Sequence, residues 1–402
     1  MLNQKPAILG GTPLFSVKLP IVRPSLPPLD PLLEDVRAVF ESGQLTNGRY
    51  VAEFEKLAAK RLGVPECVAV SSCTSGLTLV LRVLELEGEV ILPSFTFFAT
   101  GHAVLWNGLK PVFADCEPAS WNLDPASAAE LIGPRTAAIV AVHLYGNPAN
   151  TDALETLARR RGVKLIFDAA HALGSRREGR PVGCFGDAEV FSLSPTKLLV
   201  AGEGGIVATH DSDLACRLRA ARNYGDTGNY DPLVLGLNAR LTELNALLAM
   251  HGLAYLPEQL RRRNAIATRF TSGLRALPGI GFQKVRPQDE STYKDFSILI
   301  DNEQFGVTRD GLGLALAAEN VEVKKYFYPP LHQQKLYRTF HMLKMNALAS
   351  TERISQSVLS LPIYAGLTDK TVDRLIEAIA RIHAHRSEVA ALLGPRMQVA
   401  VA

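Results

Sequence analysis

The chain has 402 residues, of which 47% are hydrophobic and 21% are charged, and its formal net charge at pH 7 is +3. This length exceeds what one compact core usually holds, so two domains are expected. The balanced charge gives no support for nucleic-acid binding, and no apolar run is long enough to span a membrane.

The five cysteines are odd in number, and no two of them have CxxC spacing. This pattern argues against a disulfide framework and against a zinc site, and it favours a reducing compartment. The N-terminal stretch MLNQKPAILGGTPLF lacks the basic start and the long apolar core of a signal peptide. We therefore expect a cytoplasmic protein of enzyme size, without a metal centre.

Strand-like and helix-like segments alternate through the first part of the chain. Apolar residues recur at helical spacing in segments such as 74–85 and 151–162. The strand-like runs are VAV (68–70), EVILP (89–93), AAIVAVH (137–143), VKLIFD (163–168), AEVFSLS (188–194) and GGIVATH (204–210). This order predicts a mostly parallel sheet with helices on both faces, and a local antiparallel piece where the last runs lie close together.

The pattern changes after a long helical region at about 242–274, which Pro257 interrupts. The next segments are FSILI (296–300) and VEVKKYFY (321–328), both strand-like, with a helix-like segment at 312–320 between them and a final amphipathic helix. We predict a large α/β domain at residues 1–260 and a smaller α+β domain at residues 261–402.

Residues that could bind a ligand or take part in catalysis follow several of the predicted strands. SSCTSG (71–76) joins a strand to a helix, and the first N–H groups of a helix bind anions. Asp168 and the aromatic segment PSFTFF (93–98) lie at strand ends, where open α/β sheets bind ligands. Lys197 follows another strand, within FSLSPTKLLVAGEGG (191–205). Taken singly, each group has an ordinary explanation: a helix cap, a core aromatic or a surface lysine.

Together these groups meet the needs of pyridoxal phosphate (PLP). Its phosphate needs a helix N-terminus, its pyridine nitrogen needs a carboxylate, and its aldehyde needs a lysine. His171, three residues after Asp168, could belong to the same site or to the core.

The chain resembles the DegT/DnrJ/EryC1/StrS family of PLP-dependent sugar aminotransferases, which have the fold of aspartate aminotransferase, known as fold type I. The resemblance covers nearly the whole chain and implies a large domain with a mostly parallel mixed sheet and a smaller C-terminal α+β domain. The segments that carry it are SGQLTNGRYVAEFE, PSFTFFAT, ADCEPASWNLD, VHLYGNPA, FDAAHALGS, FSLSPTKLLVAGEGG, GLNARLTELNA, YPPLHQQ and LSLPIYAGLT.

The resemblance implies three catalytic residues. Lys197 is the lysine that binds the cofactor covalently, Asp168 pairs with its pyridine nitrogen, and His171 lies beside its phenolic oxygen. The family usually has glycine just before the phosphate-binding threonine, whereas this chain has Cys73. The further cofactor contacts that the resemblance implies are Phe97 on the ring, Thr74, Ser75 and Ser192 at the phosphate, and Asn238.

The resemblance also implies an obligate homodimer, in which Asn238 reaches the phosphate of the neighbouring subunit's cofactor. The implied substrates are an amino acid, which we expect to be glutamate, and a nucleotide-linked keto sugar. Candidate residues for contact with the substrates are Tyr145, Lys325, Tyr328 and His332.

Two other functions stay open. PLP-dependent sugar dehydratases of the same family replace the cofactor lysine with histidine, so the presence of Lys197 argues against that activity. A regulatory PLP-binding protein without turnover is the other alternative. No DNA-binding segment supports it, and a full set of catalytic residues argues against it. The sequence does not name the sugar, its aminated carbon or the nucleotide.

Overall fold

The structure is a computed structural model that describes residues 4–343 and 347–397. Its larger sheet, in the described residues, has seven strands in the order β1-β9-β8-β5-β4-β2-β3. The strands of this sheet are β1 (Glu66–Val70), β2 (Glu89–Pro93), β3 (Lys110–Ala114), β4 (Thr136–Val142), β5 (Lys164–Asp168), β8 (Ala188–Ser192) and β9 (Gly205–Thr209). A short hairpin, β6 (Arg176–Arg177) with β7 (Arg180–Pro181), lies apart from it.

The strand directions confirm the predicted mixed sheet. β2, β3, β4, β5 and β8 pair in parallel, whereas β9 runs antiparallel to both β8 and β1. The segment that joins β8 to β9, residues 193–204, contains no helix, whereas a parallel connection usually crosses over through one.

Helices cover both faces of this sheet and surround the smaller one. Among them, the N-terminal Pro257 of α9 explains the break predicted in the long helical region, since proline is tolerated in the first turn of a helix. The helices are α1 (Leu29–Ser42), α2 (Arg49–Leu62), α3 (Cys73–Val83), α4 (Phe98–Trp106), α5 (Pro125–Leu131), α6 (Thr151–Arg161), α7 (Ser212–Ala221), α8 (Glu243–Leu253), α9 (Leu256–Leu274), α10 (Asn302–Phe305), α11 (Arg309–Ala318), α12 (Arg338–Leu343), α13 (Ala349–Ser357), α14 (Asp369–Ala384) and α15 (Arg386–Met397).

The smaller sheet is antiparallel and consists of β10 (Ile280–Phe282), β11 (Phe296–Ile300) and β12 (Val358–Leu361). The predicted strand at 321–328 is wrong: this segment makes only isolated bridges, from Val321 to Leu19 and from Lys324 to Ser360, and ends in a turn at 326–327. Its apolar and aromatic residues pack against other elements without a strand partner along their length.

The N-terminal segment packs with the smaller sheet rather than with the larger one. Phe15 belongs to the same buried cluster as residues of β11 and α14. The buried carboxylate of Glu319 accepts hydrogen bonds from the backbone N–H groups of Ala7 and Leu14, at 2.8 and 2.7 Å. The helix α9 runs through the predicted domain boundary at 260/261, so that boundary stays a prediction.

The side chains of β5 and β8 alternate between the two faces of the sheet, and this alternation positions Asp168 and Ser192. Ile166 and Val190 join the buried cluster that includes α3, while Phe167 and Phe191 face the other cluster. Because side chains alternate between the two faces of a strand, Asp168 and Ser192 lie on the α3 side of the sheet. Among the described helices, none combines the length and the apolar character needed to cross a membrane.

Candidate active site

A cavity of about 320 Å³ lies at the carboxyl ends of the parallel strands. The ends of β4, β5 and β8 contribute Val142, Asp168 and Ser192 to its wall, and the segment after β2 contributes Thr96 and Phe97. This is the position at which open α/β sheets bind ligands. The predicted residues that it brings together are Thr74, Phe97, Asp168, His171, Ser192 and Lys197.

The carboxylate of Asp168 is buried and held by hydrogen bonds on both oxygens. Thr100 donates from Oγ1 to Oδ2 at 2.7 Å, and the N–H of Ala170 donates to Oδ1 at 3.1 Å. Burial raises the pKa of this carboxyl, while the two hydrogen bonds and the nearby Lys197 act in the opposite direction. The donors thus favour the ionised form that a protonated pyridine nitrogen requires.

The amine of Lys197 shares this cavity. The backbone N–H of Lys197 closes a turn by donating to the carbonyl oxygen of Ser194 at 2.9 Å. Removal from solvent and, to a smaller extent, the positive charge of Lys294 lower the pKa of the Lys197 amine to about 8, against the influence of Asp295. A minority of the amine, on the order of one tenth, is therefore neutral and so nucleophilic at pH 7.

His171 has one defined tautomer. Its Nδ1 atom accepts a hydrogen bond of 3.2 Å from the backbone N–H of Tyr145. Burial lowers the pKa of His171 well below its ordinary value, and the positive charges of Lys197 and Lys294 act in the same direction. The ring is consequently neutral and carries its proton on Nε2, where it is a hydrogen-bond donor.

The N-terminus of α3 opens towards the cavity. Ser72 and Ser75 form a capping box, in which each side chain accepts a hydrogen bond of 3.0 Å from the other's backbone N–H. Ser75 lines a neighbouring groove rather than the cavity itself, whereas Thr74 lines both. Gly205 lets β9 approach this helix end closely, because a Cβ atom there would lie 2.7 Å from the backbone nitrogen of Cys73.

Cys73 occupies the position of the family's usual glycine without blocking the site. Its thiol is buried and lies 3.4 Å from the carbonyl oxygen of Val190 and 3.8 Å from Oδ1 of Asp168. Burial raises the pKa of this thiol well above its ordinary value, and the charge of Asp168 does the same. The thiol is therefore protonated and not a nucleophile.

Asn238 lies outside the cavity of its own chain. It is exposed and pairs with Asn223 in an isolated antiparallel bridge. Its predicted contact with the cofactor of a second subunit stays a prediction.

The four candidate substrate residues do not line the cavity that contains Lys197. Tyr145 is fully buried, and its hydroxyl donates to the carbonyl oxygen of Tyr326. His332 is buried and bonds through Nδ1 to the Oγ atom of Ser94 at 2.7 Å. These residues lie behind the wall of the cavity, and their role in substrate binding stays a prediction.

Lys325 and Tyr328 lie at a different cavity or on the surface. Lys325 lines a cavity of about 470 Å³ and pairs with Asp310 at 3.0 Å. Tyr328 is partly exposed, and the guanidinium of Arg309 lies 4.7 Å from its ring centroid. Tyr326, the neighbour of Lys325, lines the cavity with Lys197 instead, at the start of a turn.

Several residues of the cavity wall were not predicted from the sequence. Thr96 precedes α4 and bonds to Thr100 at 3.1 Å between the Oγ1 atoms. Their spacing of four residues inside PSFTFFAT was a usable signal. Four more residues of the wall lie far along the chain from Lys197 and carried no such signal: Lys294, Asp295, Tyr326 and Phe327.

The groups that line this cavity fit pyridoxal phosphate. A lysine amine of lowered pKa, a buried ionisable carboxylate, an aromatic ring and a helix N-terminus are the groups that this cofactor requires. With a mostly parallel α/β sheet and a smaller antiparallel one, they are typical of a PLP-dependent transferase of fold type I.

Comparison with known proteins gives the same class. The model of the DegT/DnrJ/EryC1/StrS aminotransferase family matches residues 30–380. The chain is 31% identical over 363 residues to the dTDP-4-amino-4,6-dideoxy-D-glucose transaminase of Escherichia coli, covering 90% of this chain and 98% of that protein. It is 37% identical over 346 residues to the erythromycin biosynthesis sensory transduction protein EryC1 of Saccharopolyspora erythraea, covering 85% and 93%.

A solved structure extends the comparison to the fold. The crystal structure of DesI in the presence of its TDP-sugar product has a TM-score of 0.91 and 38% sequence identity, covering 96% of this chain and 98% of that one. The chain therefore belongs to the DegT/DnrJ/EryC1/StrS aminotransferase family. Family members of this kind use pyridoxal phosphate, as the cavity's donor set also indicates.

Proposed function

We propose that this chain transfers an amino group from glutamate to a nucleotide-linked keto sugar. The observation that carries the proposal is that the amine of Lys197 and the carboxylate of Asp168 line one cavity beside the N-terminus of α3. Relatives named as transaminases of dTDP-linked sugars support the sugar as acceptor. Glutamate as donor is our expectation for the family.

The residues of the chain have distinct roles in this proposal. Bound pyridoxal phosphate supplies the electron sink that acidifies the hydrogen on the substrate's amino-bearing carbon. Asp168 would keep the pyridine nitrogen protonated, and the Nε2–H group of His171 would be a donor for the phenolic oxygen. Thr74 and Ser192 would hold the phosphate, and Phe97 would pack against the ring.

Lys197 is the residue that transfers the proton from the substrate's amino-bearing carbon. Its Nζ atom, with a pKa lowered to about 8, is unprotonated often enough to accept a proton from the substrate carbon near neutral pH. The same Nζ atom would then donate this proton to complete the transfer. A histidine at this position, as in the dehydratases, would lack the primary amine for covalent attachment, so Lys197 favours transamination.

We also propose that the working enzyme is a homodimer in the cytoplasm. Tyr230, Leu233 and Leu235 are 97%, 70% and 71% exposed, and they precede Asn238 on the same segment. Large apolar side chains exposed close together in the sequence favour an interface, which supports placing Asn238 against a second subunit. The five free cysteines suit a reducing compartment.

Two half-reactions test this proposal. Protein loaded with pyridoxal phosphate and mixed with glutamate should release 2-oxoglutarate and convert the cofactor's absorbance to that of its amino form. Addition of a panel of nucleotide-linked 3-keto and 4-keto sugars should restore the starting spectrum with at least one of them. Conversion with glutamate but with no sugar would refute the acceptor. No spectral change with any amino acid would favour the regulatory alternative.

A further inference from the structure

Two adjacent charged residues, Lys294 and Asp295, line the cavity from the side opposite the sheet. They immediately precede β11, and both are 7% exposed. Lys294 donates from Nζ to Oδ1 of Asp295 at 2.9 Å. The roles proposed above do not use this pair.

The backbone around the pair is fixed from two directions. The N–H of Lys294 donates to the carbonyl oxygen of Tyr145 at 2.8 Å. Arg263, a buried residue of α9, donates from Nη1 to the carbonyl oxygens of Tyr293 and Lys294 at 2.9 and 3.2 Å. These contacts hold the pair against the wall that also carries His171, since Tyr145 bonds to that histidine as well.

Both residues of the pair have polar groups that are free to form further hydrogen bonds. In the described part of the chain, Oδ2 of Asp295 is buried and has no hydrogen-bond partner. Nζ of Lys294 carries three N–H donors, of which Asp295 takes one, and it lies 5.4 Å from the centroid of the Tyr326 ring. An unpaired buried carboxylate oxygen is costly, so its persistence beside a cavity indicates a ligand that supplies the missing donor.

The two opposite charges of Lys294 and Asp295 indicate what kind of ligand group the pair binds. A carboxylate placed beside it would be repelled by Asp295, and an ammonium group would be repelled by Lys294. A hydroxyl group is neutral and both donates and accepts, so it can give a proton to Oδ2 of Asp295 and accept one from Lys294. Of the two proposed substrates, the sugar carries hydroxyl groups, whereas glutamate carries charges.

We propose that Asp295 and Lys294 bind a ring hydroxyl of the sugar substrate and so contribute to the choice of sugar. This inference rests on the proposed function, because it takes the nucleotide-linked sugar as the acceptor. An ion pair that serves only the fold is the alternative, and buried ion pairs are often weak contributors to stability.

The test measures binding of dTDP-4-amino-4,6-dideoxyglucose and of its 2-deoxy and 3-deoxy analogues, by calorimetry on the cofactor-loaded protein. Asp295→Asn should weaken binding of the complete sugar about 10- to 100-fold, since a hydrogen bond to a charged group is lost. One of the deoxy analogues should bind the wild type weakly and the variant about equally weakly. The loss for the sugar should exceed the loss for glutamate in the spectral half-reaction.

Two further variants distinguish a binding role from a structural one. Lys294→Met combined with Asp295→Leu removes both charges together, which avoids an unpaired charge in the interior, and it should lose the sugar's affinity in the same way. Asp289→Asn is the matched control. It removes a buried carboxylate that pairs with Arg177 at 3.2 Å outside this cavity, and it should bind the sugar like the wild type.

Each outcome decides the matter. Unchanged sugar binding in the double variant, or equal losses for sugar and glutamate, would overturn the role of the pair and leave the proposed function standing. If the wild type binds and uses none of the keto and amino sugars, the proposed function fails, and this inference fails with it.

Discussion

Thr100 donates a hydrogen bond of 2.7 Å from its Oγ1 atom to Oδ2 of Asp168. Both side chains are buried, and Thr96 bonds in turn to Thr100 at 3.1 Å. A hydroxyl on α4 thereby orients the carboxylate at the end of β5 and opposes the effect of burial, which raises its pKa. Thr100 is in this account a positioning residue for Asp168.

Replacing that hydroxyl should weaken cofactor binding. Thr100→Val keeps the shape of the side chain but removes the donor, so the pKa of Asp168 rises further and less of the carboxylate is ionised. We expect the affinity for pyridoxal phosphate to fall about tenfold. The fall in affinity towards acid pH should also begin at a higher pH than in the wild type. Fluorescence titration of the apoprotein with cofactor over a pH series measures both effects.

Two variants control that experiment. Thr100→Ser keeps the hydroxyl and should restore the wild-type pH profile. Thr209→Val removes another buried hydroxyl, which donates to the carbonyl oxygen of Asp187 at 2.7 Å away from the cavity, and it should leave cofactor affinity unchanged. Equal profiles for Thr100→Val and the wild type would show that Thr100 does not set the state of Asp168.

Removal of the carboxylate itself should separate binding from turnover. Asp168→Asn retains a polar group of similar size, so the cofactor should still bind through the phosphate and Lys197. The loss of the negative charge leaves the pyridine nitrogen without its proton, and we expect the rate of the glutamate half-reaction to fall about 100-fold or more. Stopped-flow absorbance measures this rate. Near-normal rates would reduce Asp168 to a structural residue.

The lowered pKa of Lys197 predicts the pH dependence of its reactivity. A lysine reacts as the neutral amine, so labelling of the apoprotein by an amine-reactive reagent should increase with pH and reach half its maximum near pH 8. An exposed lysine, Lys60, serves as the internal reference. Mass spectrometry of the labelled peptides follows both residues in one sample. Equal profiles for both would contradict the assigned environment of Lys197.

Shared active sites predict complementation between inactive variants. Lys197→Ala and Asn238→Ala should each have low activity as homodimers. After subunit exchange, a mixed dimer would carry both lesions in one site and neither lesion in the other. Activity of the mixture should then exceed that of either parent. Full activity of Asn238→Ala alone, or no gain from folded subunits shown to exchange, would refute the contact in trans.

The residues that the sequence predicted at this site lie at the ends of strands, where local patterns are informative. Asp168 directly ends an apolar run, and Lys197 follows the next run in the chain, so the topology of a parallel sheet brings the two together. The N-terminus of α3 was similarly marked by the serines and threonine of SSCTSG. The places of these residues could be predicted because they depend on local patterns of neighbouring residues.

The opposite wall could not be predicted in the same way. Lys294 and Asp295 reach the cavity only through the packing of β11 and the contacts of Arg263, nearly one hundred residues after Lys197. Lys325 pairs with Asp310 and lines another cavity, so its contact with the substrate stays a prediction. Such outcomes depend on tertiary contacts, which no local pattern specifies.

The most direct test of this account is the identity of the lysine that binds the cofactor. Borohydride reduction of the protein loaded with pyridoxal phosphate should fix the cofactor to a single residue, and peptide mass spectrometry should locate it at Lys197. The Lys197→Ala variant should show neither this modification nor the absorbance of lysine-bound cofactor. Modification of Lys294, the other lysine on the cavity wall within the described residues, or of any lysine outside the cavity would contradict the account.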